Sequence, residues 1–217
     1  DASSRFASGN KWGNFGSFGV AWMISKEQFM EPTKTWLDEL KVKASIGSQG
    51  NDALMYDGEL NYYPAEDRYK VSDVNGTPVP VFDGYKGNRD ITWETSISTN
   101  IGIEFSLLKK RLTGSLEYYN RTTKDMLYYR PVAVSLGYDS YPVNEGSMYN
   151  RGIELQLNAT VLKLKDVTVD LNANMTTLKN KITSYPSVYK GSMLIREEGG
   201  SIYESYIRSY AGVWHGN

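Results

Sequence analysis

The sequence predicts an all-β fold of antiparallel up-and-down strands: a six-strand section of a large transmembrane β-barrel, with short turns at one end and long loops at the other. Three observations predict it. Six segments alternate apolar and polar residues, and many are near the ~9–11 residues that cross a bilayer as a tilted strand, longer than the commonest soluble strand of ~5–6. The connections between them are short and long in strict alternation. No apolar run approaches a membrane helix, in line with a mean hydropathy of −0.48, which excludes helical spans only, because barrel strands give a much weaker hydropathy signal.

The first segment, near 17–24, puts Phe18, Val20, Trp22 and Ile24 on one face and Ser17, Gly19 and Ala21 on the other. The second, near 40–47, sets Leu40, Val42, Ala44 and Ile46 against Lys41, Lys43 and Ser45. The third and fourth, near 95–106 and 112–120, form a hairpin. Ile101, Ile103, Phe105, Leu112, Leu116 and Tyr118 take its oily face, and Asn100, Gly102, Glu104, Thr113, Ser115 and Glu117 its wet face. The fifth, near 152–161, opposes Ile153, Leu155, Leu157 and Ala159 to Glu154, Gln156 and Asn158. The sixth, near 167–176, opposes Val167, Val169, Leu171 and Ala173 to Thr168, Asp170 and Asn172.

Residues 107–111 join the third and fourth segments, and Leu162 to Asp166 join the fifth and sixth. Between the first and second, Ser25 and Gln28 stand at capping-box spacing and predict a short helix. The other connections, roughly 48–94, 121–151 and 177 onward, all fall at the opposite end. Structureless loops above ~12–15 residues are uncommon in compact soluble domains, whereas outer-membrane barrels pair short periplasmic turns with long extracellular loops. Of 17 tyrosines, only Tyr118 and Tyr119 lie in the predicted strands; the rest occupy the long connections. A flat apolar ring with a polar tip suits interfaces and hydrated ligands, although packing of loops on one another is the plainer account of any one of them.

Six strands do not close a large barrel, and an isolated open sheet would expose both edges and a wide apolar face. The chain is therefore expected to be an internal piece of a longer barrel, or else a soluble three-on-three β-sandwich that binds carbohydrate through a tyrosine-rich loop face. The opening "DASSRF", without an initiator methionine or signal peptide, favours the internal piece.

Composition removes several function classes. A net charge of −1 gives no electrostatic case for nucleic acid. With no cysteine there is no disulfide, thiol catalysis or thiolate metal site. His215 is the only histidine, so no histidine-based triad or metal pair is available. Glu197 and Glu198 are adjacent and point apart in an extended chain, so they make a poor acid/base pair, and Gly199 and Gly200 read as a turn. Asp73, Asn75 and Asp83 lack the full ligand pattern of a calcium loop, and Asn75-Gly76 reads as a turn instead. The sequon at Asn120 means little if the source is bacterial. The sequence thus predicts no enzyme, no metal and no cofactor.

Several linked stretches occur in order: "SSRFASGNKWGNFGSFGVAWMISKEQFM", "LKVKASIGSQGND", "ITWETSISTNIGIEF", "RLTGSLEYYNRTTKDML", "NEGSMYNRGIELQLNAT" and "MTTLKNKIT". Together they resemble the barrel region of SusC/RagA-type TonB-dependent transporters of Bacteroidetes-like bacteria. The sequence departs from the family pattern at Gln49, where threonine is usual, and at "GNRDIT" before Trp93, where an Asn-Pro turn is usual. The resemblance implies a plugged barrel of ~22 strands in the outer membrane, with plug, TonB-contacting segment and remaining strands elsewhere. It also implies import of oligosaccharide or peptide cargo, a SusD-like surface lipoprotein as lid, and TonB as the energy source.

On that reading Lys41, Lys43, Glu104, Glu117, Glu154 and Asp170 face the lumen, where they solvate a water-filled interior or meet plug or cargo. Ile101, Ile103, Phe105, Leu112 and Leu116 face outer-membrane lipid. Lys109, Lys110, Arg111, Lys163 and Lys165 are ordinary solvated turn ends. If loops bind cargo, Tyr128, Tyr129, Tyr138 and Tyr141 are the candidates, by ring stacking on sugars or peptide groups.

Overall fold

A computed structural model describes residues 1–186, 188–190, 193–207 and 212; His215 lies outside them. Strand β1 (Ser17–Met23) pairs antiparallel with β2 (Leu37–Asn51). The next connection contains two small hairpins, β3 (Met55–Tyr56) with β4 (Glu59–Leu60), and β5 (Tyr69–Val74) with β6 (Thr77–Phe82). Strands β7 (Glu94–Leu107) and β8 (Leu112–Lys124) form the long hairpin. A third small hairpin, β9 (Leu127–Pro131) with β10 (Ser140–Asn144), precedes β11 (Ser147–Lys163). The sixth segment is β12 (Thr168–Thr176) followed by β13 (Lys179–Ser184), and short strands β14 (Tyr189–Lys190), β15 (Leu194–Arg196) and β16 (Glu204–Ser205) come last.

The large sheet runs β1-β2-β7-β8-β11-β12, with β13 also on β11, and every pairing is antiparallel. The strands do not divide three on three, so the sandwich alternative is replaced by one uninterrupted sheet. Several strands run beyond their predicted ends. Polar positions such as Ser48, Thr122 and Ser147 continue the ladder above the apolar stretch, where alternation of hydrophobicity fades but backbone pairing does not.

The predicted capped helix is instead two 3-10 turns, Ile24–Lys26 and Gln28–Thr33. Ser25 is buried within the first turn and caps nothing. Glu27 between them is extended, its carboxylate accepting the Trp22 indole N–H at 2.9 Å, which interrupts helical continuation.

Register lines up the apolar side chains in rows. Trp22, Val42, Ile103, Leu116, Leu155 and Met175 stand opposite one another across the sheet, as do Val20, Ala44, Ile101, Tyr118 and Ile153 in the next row. Trp22, Val20, Ile101, Leu116, Ile153 and Met175 are all exposed. Most buried apolar residues lie elsewhere: Phe6, Leu54, Ala65, Tyr85, Ile91, Met126 and Val143 belong to the long connections and the stretch before β1, while Leu37 at the start of β2 and Ile182 on β13 are the buried apolar members of the large sheet. The buried cluster of this chain lies at the loop end.

Beside β11 the chain steps out of the ladder at Thr177 and Leu178, so that β12 and β13 both pair with β11. Thr177 closes the gap: its N–H donates to the Ile153 carbonyl and its hydroxyl accepts the Ile153 N–H, each at 2.9 Å. This brings the Thr177 carbonyl against Gly152, where any Cβ would collide with it. Replacing Gly152 by Ala in the whole transporter that carries this segment is expected to lower its unfolding temperature by the equivalent of about 1–3 kcal/mol. Gly9→Ala, whose added methyl meets open space, is expected to leave it unchanged; thermal unfolding in detergent checks both.

Candidate functional site

Two regions gather chemistry: the polar face of the sheet and the lobe of loops at one end of it. On the polar face, Lys43, Gly102, Glu117 and Glu154 occupy one row across β2, β7, β8 and β11. Glu117 and Glu154 are direct cross-strand partners, an unfavourable like-charge pairing by itself. Lys43 offsets it by reaching Glu117 at 2.7 Å and Glu104 at 3.1 Å, while Lys41 holds the other oxygen of Glu104 at 3.0 Å. The reach across β7 depends on Gly102, since a Cβ there would meet Lys43 Cε at 3.1 Å and Glu117 Cβ at 3.3 Å. Asp170 accepts a hydrogen bond from the Thr160 hydroxyl directly opposite, at 2.6 Å. Toward the loops, the same face opens into a hollow of about 980 Å³ lined by Ser17, Ser45, Gln49, Ser98, Asn100 and Arg121. Hydroxyls and amides suit hydrated, hydrogen-bonding molecules, and no acid/base pair is assembled there. Gln49 lies within β2, opposite Ser96.

The loop lobe is built on Phe6, Leu54 and Ile91, with Trp93, Leu127 and Tyr129 packed around them. Polar clamps fasten one connection to the next. Asn88 donates to the Pro142 carbonyl at 2.8 Å, and Asn144 both accepts the Thr92 N–H and donates to the Thr92 carbonyl. The "GNRDIT" stretch that departs from the family pattern is thus held by its own asparagine. The Asn75-Gly76 turn forms with both residues at positive φ, and the Asp73 carboxylate accepts the Gly76 N–H at 2.6 Å. Asp83 pairs with Arg68 at 2.7 Å and Lys70 at 3.5 Å. Gly199 turns the chain after Glu197 and Glu198, with φ of 92°.

All four candidate tyrosines are half-buried in this lobe. Tyr129 packs edge-on to Tyr56 and tilts against Tyr85, with ring centroids 4.8 and 5.2 Å away, and its hydroxyl accepts from Asn61. Tyr128 stacks on Tyr185 and donates to Glu145 at 3.1 Å, and Glu145 also pairs with Arg130. Burial pushes the pKa of both phenols well above the ordinary tyrosine value. Tyr138 lies against Phe82, with Lys86 over its ring at 6.0 Å, and Tyr141 sits on β10 opposite Arg130. The lobe also presents Tyr62, Tyr63, Tyr69 and Tyr203 more openly to solvent, which tyrosine counting alone did not rank.

A single wall with one polar and one exposed apolar face and loops gathered at one end suits a barrel, and the sequence agrees with known barrels. Residues 1–199 match the family described as TonB dependent receptor-like, β-barrel. The chain belongs to that family. It is 32% identical over 99% of its length to TonB-dependent receptor P39 of Formosa agariphila, and 31% identical over 84% to TonB-dependent receptor SusC of Bacteroides thetaiotaomicron. Those alignments cover 20% and 18% of the relatives, so the chain spans about one fifth of their length. A solved structure of the RagAB peptide importer in its closed-closed state superposes on 90% of this chain and 21% of that one, with a TM-score of 0.79 and 30% identity.

TonB-dependent receptors reside in the bacterial outer membrane, and the family is non-enzymatic. The large sheet is therefore a section of an outer-membrane barrel. Residues such as Phe6, Leu54 and Ile91 follow no alternating or catalytic motif, and only the quoted family stretches hinted that their neighbourhoods mattered. In the whole receptor, Gly102→Val and Lys43→Met are each expected to lower the unfolding temperature. The double variant is expected to lose less than the sum, with a coupling of about 0.5–1 kcal/mol; additive losses in the thermal melts would show that Gly102 does not serve the lysine.

Proposed function

We propose that this chain forms part of the barrel wall and the extracellular loops of a TonB-dependent importer that takes up glycan or peptide fragments across the outer membrane. The observation that carries the reading is the sheet itself. Its apolar row is unbroken from Trp22 on β1 to Met175 on β12 and its side chains are exposed or half-buried, while the opposite face holds the ion pairs of Lys41, Lys43, Glu104 and Glu117. Facing the apolar rows to lipid and the charged row to a watery lumen satisfies both. Glu154 and Asp170 share that lumen side, and Ile101, Ile103, Phe105, Leu112 and Leu116 meet acyl chains. A further dimension agrees: from Ile153 to Leu162, ~3.4 Å per residue at a tilt of ~40° gives a band about 23 Å tall, against the ~25 Å usual for outer-membrane barrels.

The plug, the TonB-contacting segment and the remaining strands belong to the rest of the protein, and a SusD-like surface lipoprotein closes over the loop end as a lid. Import proceeds by binding and gating, without covalent chemistry. The RagAB relative is a peptide importer, which makes peptides one cargo class to test beside oligosaccharides. Within the loops, Tyr138 and Tyr141 are the freer pair for stacking on cargo. Tyr128 and Tyr129 engage Glu145 and Asn61 and shape the platform.

Two measurements test this. In the whole transporter reconstituted with brominated lipids, a variant keeping Trp22 as its sole tryptophan in this segment is expected to show strongly quenched emission; unquenched emission would remove the lipid-facing assignment. Replacing Tyr128, Tyr129, Tyr138 and Tyr141 together by Ala is expected to weaken binding of an oligosaccharide or peptide panel at least ~10-fold, at about 0.5–1.5 kcal/mol per lost aromatic contact. Unchanged calorimetric affinities would take cargo contact away from these four.

A further inference from the structure

The face that carries the apolar rows changes character abruptly at one level. Above Ile101, Tyr118 and Ile153 the next row reads Thr99, Asn120, Arg151 and Lys179; then come Ile97, Thr122, Tyr149 and Lys181; then Thr95, Lys124, Ser147 and Ser184. Side chains alternate across a sheet, so Arg151 and Tyr149 share the face of Ile153, and Lys124 that of Tyr118. Asn180, between Lys179 and Lys181, bonds to Asn150 at 2.7 Å on the opposite, polar face, which fixes the two lysines on the apolar side.

Four cations therefore stand directly over the apolar band, at the loop end. Lys124, Arg151 and Lys179 are exposed and Lys181 is half-buried. Among the described residues none of the four takes part in an ion pair, and no carboxylate occupies these rows. Lys41 and Lys43, on the other face of the same sheet, are both paired. Arg151 lies over the Tyr149 ring, 4.6 Å from its centroid, which leaves its N–H groups free for an anion.

We propose that this patch is a binding site for the phosphorylated headgroup of an outer-leaflet glycolipid, whose acyl chains lie on the rows of Ile101, Tyr118, Leu116 and Ile153. The inference rests on the reading that those rows face lipid. Charge complementarity and continuity with the apolar band argue for one occupant: a molecule seated on the band has its headgroup at this height, and basic clusters at a membrane surface attract anionic headgroups. Strands ~4.8 Å apart and ~3.4 Å per residue spread the cations over about 10 Å across the sheet and about 13 Å along it, enough to meet more than one phosphate.

The test uses the whole transporter purified in detergent and titrated with diphosphoryl lipid A, with binding followed by native mass spectrometry. Each cation is worth about fivefold in affinity. Lys124→Gln, Arg151→Gln, Lys179→Gln and Lys181→Gln combined are therefore expected to weaken binding about 600-fold. Lys124→Gln and Lys179→Gln alone should each cost about fivefold, and Arg151→Lys should retain most of the affinity. Dephosphorylated lipid A is expected to bind as poorly to the parent as diphosphoryl lipid A does to the fourfold variant. Changing Lys109, Lys110, Lys163 and Lys165 at the opposite end to Gln should have no effect.

Equal affinity of the parent and the fourfold variant, or an equal loss in the turn-end variant, would overturn the proposal. So would tight binding of dephosphorylated lipid A. Inorganic phosphate that displaces the lipid at millimolar concentration, with no contribution from the acyl chains, would reassign the patch to a free anion. Trp22 quenching separates the two levels: quenched Trp22 with unchanged lipid A affinity defeats this site alone, whereas unquenched Trp22 defeats the lipid-facing reading beneath it.

Discussion

Everything in this chain depends on the antiparallel ladder holding its register across β1, β2, β7, β8, β11 and β12. In hydrocarbon no water satisfies a backbone N–H or carbonyl, so the groups must pair strand to strand without a break. That pairing also decides which side chains share a row. A slip of one residue in any strand would carry lysines and glutamates among Ile103, Leu116 and Leu155 and put their apolar neighbours on the charged face. Glycines allow the register where side chains compete for space: Gly102 lets Lys43 cross to Glu117, and Gly152 admits the Thr177 carbonyl where the last long strand steps out of line.

The loop end obeys a different rule. Its connections are long, yet they are organised by small hairpins and a buried cluster of Phe6, Leu54 and Ile91, stitched together by Asn88 and Asn144. The buried cluster of this piece sits among the loops because many of the wall's own apolar side chains are left exposed. The lobe, fastened by its own buried cluster and polar clamps, stands beside a hollow lined largely by hydroxyls and amides.

The sheet also sorts charge by height and by side. Lysines on the polar face are matched with carboxylates, whereas the cations over the apolar band on the other face are not. Basic residues recur at the short turns, where Lys110 has its backbone N–H on the Asp38 carboxylate and Arg111 donates to the carbonyls of Thr160 and Val161. The wall is thus bounded by cations at both ends of its apolar band, with different surroundings at each.

Strand order, the two faces and the separation of turns from loops were all legible in the sequence. Alternation with a period of two is a local property, and Ile101, Ile103 and Phe105 display it whatever surrounds them. Lys41, Lys43, Glu104 and Glu117 were legible as one polar face for the same reason. Their pairing was not, because it joins residues up to 74 positions apart through a register that only the folded sheet defines, as with Lys43 and Glu117. The failed cap at Ser25, the packing of Tyr128 and Tyr129, and the cluster of Arg151, Lys179, Lys181 and Lys124 likewise depend on contacts between distant segments. The sequence by itself determined which side of each strand is oily; the tertiary structure decided which residues from different strands meet, because side-chain polarity repeats within a strand while partnership arises only between strands.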